Sequence, residues 1–297
     1  MATWDTDCKV RHPLVPGGPV LETQRFAPFA GSAALAGSLT RVNGLQRRAG
    51  IRFDLPADAT GWQRCGDLLD DPEHFRTWQA LLSEWLVEQH GTAPSRTAAG
   101  YIMSWYLHVP AYAAALLLHH ERRVPSLDPA ELAFRLNEGR PHPDGIAVLG
   151  DRFYCLPSDP GSALPEATVV ADEQALVAVL RARYTAHAAR FVAAYTRVSR
   201  LGTRMLWAAA TDALDNSLWW AGKQGGTVES EGAGVADAAL VLDAVHPPLT
   251  SASTLRTTTD ADGHREWSRR RESCCFSYLL PGESECAGCP RTCGRRL

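Results

Sequence analysis

The feature that most constrains this chain is the crowding of cysteines at its C-terminal end. Five of the eight cysteines lie within the last 24 residues, at Cys274, Cys275, Cys286, Cys289 and Cys293. A chain of 297 residues can bury a core without cross-links, so its stability does not require disulfides. In a reducing compartment such a group of thiols indicates metal ligation rather than a disulfide framework.

Composition and charge narrow the class of protein. The hydrophobic fraction of 45% and the charged fraction of 21% are typical of a soluble globular protein. A formal net charge of -3 argues against a nucleic-acid binder, which usually carries a basic excess. Residues 264–297 hold seven arginines and four glutamates, a local charge of +3, so the rest of the chain carries -6.

Two segments bear on localisation. The N-terminus has no basic stretch followed by an apolar run, so we expect no export signal and a cytoplasmic protein. Residues 97–120 are apolar enough to resemble a membrane span, but they include Ser104, His108 and Pro110. We therefore predict a buried helix bent at Pro110 and no integral membrane segment.

Hydrophobic periodicity predicts a mainly helical chain. A helix is expected from Asp71-Pro72 to just before Gly91, and another from Ser95. Further helices are predicted over residues 128–138, 172–199, 203–220 and 235–244. Residues 9–35 are expected to be irregular, and the Gly-rich stretch 222–234 is expected to be a loop or linker.

Strands are predicted at two places. Residues 145–157 alternate around Gly150-Asp151 and are interpreted as a β-hairpin, and Asp262-Gly263 is expected to form a turn between two extended strands. The fold class is therefore α+β and predominantly helical, with small β-hairpin elements and a cluster-binding segment at the C-terminus. We expect a mixed N-terminal domain of unclear function over residues 1–165 and a helical C-terminal domain over residues 166–297.

The cysteine spacing points to one metal centre. A Cys286-x-x-Cys289 turn directs two sulfurs at the same metal, so these two cysteines are expected to share one iron, and Ala287-Gly288 gives the backbone freedom. Neighbouring residues of a strand point to opposite faces, so Cys274 and Cys275 need a kinked backbone. A 2Fe-2S cluster, with two ligands per iron, is the natural acceptor for these four thiolates.

The run Arg-Arg-Arg-Glu-Ser-Cys-Cys-Phe-Ser-Tyr-Leu-Leu-Pro-Gly-Glu-Ser-Glu-Cys-Ala-Gly-Cys-Pro at residues 269–290 resembles the C-terminal signature of the ferric siderophore reductase family, which includes the bacterial ferric hydroxamate reductase. The resemblance covers residues 200–297 well and the N-terminal half only loosely. It implies a 2Fe-2S protein that passes single electrons to siderophore-bound iron, with Cys274, Cys275, Cys286 and Cys289 as ligands. Cys293 departs from this pattern and is expected to be dispensable.

This chemistry needs no nucleophile or general base. Siderophores hold hard ferric iron through oxygen donors and bind the ferrous ion far less tightly, so one electron loosens the iron. Arg269, Arg270 and Arg271 could raise the cluster potential, attract an anionic siderophore or dock a donor protein, and Arg269 and Arg270 are the candidate substrate-binding residues. The alternative is a solvated basic strand. His108 and Trp219-Trp220 are assigned to the core.

Other functions remain open at this stage. One is a redox-sensing or iron-sensing Fe-S protein without turnover, and another is a helical module with a structural zinc site. Cys286, Cys289 and Cys293 could also join one of the adjacent cysteines around zinc or another cluster. No G-x-G-x-x-G motif follows a predicted strand, so the electron donor is expected to be a protein or small reductant rather than a nicotinamide.

Overall fold

Helices dominate the structure of this protein, a computed structural model that describes residues 33–259, 265–286 and 288–293. The described helices are α1 (Leu35–Leu45), α2 (Cys65–Asp70), α3 (Glu73–His90), α4 (Ser95–Glu121), α5 (Glu173–Ser199), α6 (Thr203–Lys223), α7 (Val228–Val241) and α8 (Pro290–Cys293), with single 3-10 turns at Pro129–Glu131 and Ser277–Leu279. This confirms the predominantly helical α+β class.

The strands form three small sheets within the described residues. They are β1 (Gly50–Phe53), β2 (Trp62–Arg64), β3 (Arg123–Pro125), β4 (Leu132–Leu136), β5 (Pro143–Val148), β6 (Phe153–Cys155), β7 (Ala167–Val169), β8 (Leu255–Thr259) and β9 (Arg265–Arg269). The sheet orders are β1-β5-β4-β2, β3-β6-β7 and β8-β9. The β8-β9 pair is antiparallel, with Leu255 opposite Arg269.

Helix α4 runs through the centre of the fold. By length and composition it could cross a membrane, but 94% of its most apolar window is buried inside the protein. Pro110 lies within it, and its side chains from Thr97 to Leu118 are buried with the exception of Ser104. The prediction of a buried core helix is therefore confirmed.

The long helices pack around α4, which makes its most extensive contact with α6. The predicted apolar stripe of α5 faces this core, where Tyr106 of α4 stacks on Phe191 of α5 with ring centroids 4.6 Å apart. Tyr184 of α5 donates a hydrogen bond of 2.9 Å to the carbonyl of Ala210 on α6. Side chains from both sides of residue 165 thus share one core, and the division into two domains there stays a prediction.

The predicted loop at residues 222–234 is wrong, because α6 extends to Lys223 and α7 already begins at Val228. Thr227 caps α7 in a capping box with Ser230. A Cβ atom on Gly222 would lie 2.7 Å from the Cα of Gly234, so these glycines let two helices approach closely. Gly222 and Gly234 therefore allow close packing of two helices and do not mark a flexible loop.

Two further predictions from the first half of the chain are wrong. The expected helix over residues 128–138 is only the turn Pro129–Glu131, which Asp128 caps, followed by β4. The expected hairpin over residues 145–157 contains two strands, but β5 pairs with β1 and β4 while β6 pairs with β3 and β7. Pairing with strands distant in sequence overrode the local signals.

The predicted strands beside the cysteine segment are confirmed as β8 and β9. Their expected turn at Asp262-Gly263 lies outside the described residues. Most of the segment expected to be irregular, residues 9–32, also lies outside them. Strand β9 ends at Arg269, five residues before Cys274. The helix predicted up to Gly91 is also confirmed, since Gly91 adopts the left-handed conformation that ends α3.

Candidate metal centre

The adjacent cysteines lie in an irregular segment between β9 and the turn Ser277–Leu279. Phe276 has a left-handed backbone conformation with φ of 61°, which reverses the chain immediately after Cys275. Its backbone N–H donates to the sulfur of Cys274 at 3.4 Å. The kinked backbone expected for neighbouring cysteine ligands is therefore present.

Helix α4 forms the floor beneath this segment. The Thr97 hydroxyl donates to the carbonyl of Phe276 at 2.9 Å, and the Tyr101 hydroxyl donates to Ser277 Oγ at 3.2 Å. Gly100 lies between them, and a Cβ atom there would be 2.8 Å from the carbonyl oxygen of Cys275. The absence of a side chain at residue 100 lets the cysteine segment rest directly on the helix.

The second pair of cysteines is tied back to the first segment. The Cys289 N–H donates to the carbonyl of Cys286 at 2.9 Å, and the Arg271 N–H donates to the carbonyl of Gly288 at 2.9 Å. A Cβ atom on Gly288 would lie 2.7 Å from the carbonyl oxygen of Arg269. Glycine is thus needed here for close approach of two backbones, while Ala287 lies outside the described residues.

The four thiols meet in two pairs. The Cys274 thiol lies beside that of Cys289, and the Cys275 thiol lies beside that of Cys286. In the part of the chain that the structure describes, no three His, Cys, Asp or Glu side chains form a group that could hold one metal ion. Four thiols are the number that a 2Fe-2S cluster, with two ligands on each iron, requires.

The pairs connect the two cysteine segments rather than residues of one segment. The expectation that Cys286 and Cys289 share one iron therefore stays a prediction. Cys274, Cys275 and Cys289 are at most 6% exposed, whereas Cys286 is half-buried. The thiols thus sit at the edge of the main hydrophobic core, with Cys286 closest to solvent.

Burial makes these thiols weak acids when no metal is bound. Burial raises the pKa of Cys274 to about 11, and contact with the Cys286 thiol, followed by burial, raises the pKa of Cys275 to about 12. A metal must displace these protons, because the thiolate is the ligand form.

A buried carboxylate on α6 anchors the strand that leads to the cysteines. Asp212 accepts hydrogen bonds from the Glu272 N–H at 2.9 Å, the Ser273 N–H at 2.8 Å and the Ser273 hydroxyl at 2.5 Å. Arg269 also contacts it, with Nη1 3.3 Å from Oδ1. A buried carboxylate is tolerated when donors surround it, so Asp212 fixes residues 269–273 on α6.

Asp215, one turn further along α6, holds the beginning of the hairpin. It accepts from the Ser253 hydroxyl at 2.6 Å and from both the backbone N–H and the hydroxyl of Thr254 at 3.1 Å. The Thr254 hydroxyl shares its one proton between Asp215 and the carbonyl of Arg270, which is the closer acceptor at 2.6 Å. Burial raises the pKa of Asp215, an effect that these hydrogen bonds and Arg269 oppose.

The three arginines occupy different environments. Arg269 is 14% exposed and paired with Asp212, and Arg271 is 7% exposed. Arg270 is 50% exposed and paired with Glu272, with Nη2 2.7 Å from Oε1. The interpretation as a solvated basic strand does not describe Arg269, which Asp212 holds, or Arg271, which is buried.

Residues set aside as structural lie where expected. His108 is buried and stacks on Trp220 with centroids 4.9 Å apart, and burial lowers its pKa to about 3. Cys65 and Cys155 are fully buried in the core. Cys293 ends α8, and Cys8 lies outside the described residues.

The supports of this centre on α4 and α6 were not predicted from the sequence; they are Thr97, Gly100, Tyr101, Asp212 and Asp215. One signal was available. Asp212 and Asp215 are spaced i, i+3 on the same face of a helix that otherwise carries alanine, leucine and tryptophan there, and a carboxylate on a buried face requires partners. Nothing in the sequence near Gly100 indicated contact with Cys275.

Comparison with known families agrees with this geometry. Residues 271–291 match the family model of the FhuF 2Fe-2S C-terminal domain, and the match includes the four paired cysteines but not Cys293. It supports a ferric siderophore reductase-like family and points to a 2Fe-2S cluster as the cofactor. A search among curated proteins gives no match to this chain.

The close contact at Gly100 generates a test. We expect Gly100→Ala to displace the Cys275 and Phe276 backbone and to cost about 1–3 kcal/mol of stability through overpacking. The ratio of iron to protein after purification should fall. Gly232→Ala, on α7 with nothing within 4 Å, is the control and should retain wild-type iron. Equal iron content in both variants would contradict the proposed floor.

Proposed function

We propose that this protein is a 2Fe-2S oxidoreductase that gives one electron to siderophore-bound Fe(III), so that Fe(II) is released. The four ligands are Cys274, Cys275, Cys286 and Cys289. The proposal rests chiefly on four thiols that two segments bring together at the edge of the core, within a region that matches a 2Fe-2S domain.

The chemistry that a bound 2Fe-2S centre supplies is one-electron transfer, at a potential that proteins set between roughly -700 and +450 mV. The ferric substrate gains one electron and becomes ferrous iron, which oxygen donors hold less tightly. A separate electron donor, a protein or a small reductant, restores the reduced protein. The siderophore itself is neither cleaved nor oxidised, so no acid-base residues are required.

The residues of this chain hold and shield the centre. Burial of Cys274, Cys275 and Cys289 keeps water from three of the sulfurs, and the segment that carries two of them is fixed by its hydrogen bonds to the Asp212 carboxylate and by the one that Thr97 donates to it. The half-buried Cys286 marks the side on which substrate and donor approach most closely. Electron transfer is expected to occur there.

Arg270 is the better of the two candidate substrate-binding arginines. Its guanidinium is half exposed, whereas Arg269 is held by Asp212 and serves as an anchor. Its ion pair with Glu272 is exposed and therefore weak, so an anionic ferric siderophore can compete for the Arg270 guanidinium. We propose a cytoplasmic location and no nucleic-acid partner, as the sequence indicates.

The ligand assignment is tested by single substitutions. We expect Cys274→Ser, Cys275→Ser, Cys286→Ser and Cys289→Ser each to abolish or shift the 2Fe-2S absorption spectrum and to lower iron per chain. Cys65→Ala and Cys155→Ala, at buried core positions, should lower the melting temperature but keep the iron. Cys293→Ser should also keep it. Loss of the cluster in Cys293→Ser, with retention in an adjacent-cysteine variant, would show that the four ligands were wrongly chosen.

The reaction is tested by anaerobic stopped-flow mixing of reduced protein with a panel of ferric siderophores. We expect reoxidation of the cluster together with one Fe(II) per electron, captured by a ferrous chelator. Ferricyanide serves as the control oxidant. A protein that ferricyanide oxidises but no ferric siderophore does would contradict the reductase and favour a redox or iron sensor.

The role of Arg270 is tested with a matched surface variant. At low ionic strength we expect Arg270→Gln to slow reaction with an anionic ferric siderophore up to about fivefold, because two charges 4 Å apart in water interact by about 1 kcal/mol. Arg256→Gln, an exposed position on β8, is the control. The difference should fade above about 0.1 M salt, where the Debye length is about 10 Å. Equal rates for both variants would rule out this role.

A further inference from the structure

A chain of hydrogen bonds connects α4 to one of the proposed ligands. The Tyr101 hydroxyl donates to Ser277 Oγ at 3.2 Å, and Ser277 Oγ lies 2.9 Å from the sulfur of Cys275. Ser277 lies within the segment that matches the 2Fe-2S domain, but Tyr101 is 176 residues away in the sequence. Tyr101 is therefore a contact that only the fold creates.

The direction of these bonds follows from the available protons. Tyr101 donates its proton to Ser277, which leaves the Ser277 hydroxyl proton for another acceptor. A thiolate that binds a metal has no proton and can only accept. With metal bound, Ser277 must therefore be the donor to the Cys275 sulfur.

The three groups are shielded from water. Tyr101 and Cys275 are each 6% exposed, and Ser277 is 8% exposed. Water cannot readily replace either hydrogen bond at such positions, and a hydrogen bond in a low-dielectric interior is electrostatically stronger than in water. Removal of either hydroxyl is therefore expected to change the electrostatic environment of the Cys275 sulfur.

Helix α4 also fixes the position of the serine. Thr97 and Tyr101 lie four residues apart on one face of the helix, and they bind the carbonyl of Phe276 and the hydroxyl of Ser277. Gly100 brings the backbone of Cys275 onto the same face. The serine hydroxyl is therefore oriented by side chains of the helix.

We propose that Tyr101 is a positioning residue that raises the reduction potential of the 2Fe-2S centre by orienting the Ser277 hydroxyl toward the Cys275 sulfur. This inference rests on the proposed binding of that cluster by Cys275. A hydrogen bond to a ligand sulfur stabilises the more negative, reduced form, so it raises the potential. A residue on α4 thereby helps to match the reduction potential of the centre to those of its electron donor and its ferric substrate.

The test is an anaerobic spectroelectrochemical titration of full-length, cluster-loaded variants. Tyr101→Phe removes only the hydroxyl, and Ser277→Ala removes the donor to the sulfur. Each should lower the equilibrium constant for reduction about threefold to tenfold, which corresponds to roughly 30–60 mV for one electron. The double variant should match Ser277→Ala, because Tyr101 acts through the serine.

Two further variants separate this role from a structural one. Ser277→Thr keeps a hydroxyl and should keep the potential near that of the wild type. Tyr278→Phe removes a hydroxyl that binds Arg291 Nη1 at 3.0 Å, one residue from Ser277, and should leave the potential unchanged. If Tyr101→Phe holds too little cluster to titrate, the comparison of Ser277→Ala with Ser277→Thr and Tyr278→Phe still decides whether this hydroxyl sets the potential.

Opposite results would overturn the inference. A loaded Tyr101→Phe or Ser277→Ala protein with the wild-type potential contradicts it, as does a double variant with a lower potential than Ser277→Ala alone. A wild-type protein that reduces ferric siderophores while these variants keep its potential would refute the inference and leave the proposed function intact. A wild-type protein that binds no 2Fe-2S cluster would refute both.

Discussion

The buried carboxylate of Asp212 is the contact on which the metal centre most depends. It binds two backbone N–H groups and a hydroxyl of residues 272 and 273, and it pairs with Arg269. A charged group inside a protein is stable only with such partners, so the segment before Cys274 can occupy one position on α6 and few others. Because the segment is held there, the next residues contact α4: Cys275 packs on Gly100, and Ser277 accepts a hydrogen bond from Tyr101.

This arrangement places the 2Fe-2S site against the helices α4 and α6. Three sulfurs are buried and one is half-buried, which limits water at the centre while leaving one side accessible. The potential of such a site depends on nearby charges and on hydrogen bonds to its sulfurs. Of the three arginines before the cysteines, Arg271 is buried and Arg269 is held by Asp212, whereas Arg270 is half exposed and paired with Glu272.

The segments whose structure differs from the local sequence pattern have one cause in common. The helix expected over residues 128–138 contains β4, because pairing with β2 and β5 outweighed the Asp128-Pro129 start signal. The Gly-rich stretch 222–234 belongs largely to helices, because Gly222 and Gly234 allow close contact between α6 and α7. In both places the local sequence pattern predicted the wrong secondary structure, because the strand or helix that the segment contacts lies elsewhere in the chain.

The sequence by itself determined the predominantly helical class, the buried nature of α4, the β8-β9 hairpin and the kinked Cys274-Cys275 segment. Each of these follows from periodicity, capping or spacing within a short stretch, and the same short-range spacing indicated the 2Fe-2S cofactor. Only the tertiary structure decided that the Cys275 thiol meets that of Cys286 and that Tyr101 and Asp212 support the centre. These contacts join residues 11 to 176 positions apart, and they arise from helix packing that no local pattern encodes.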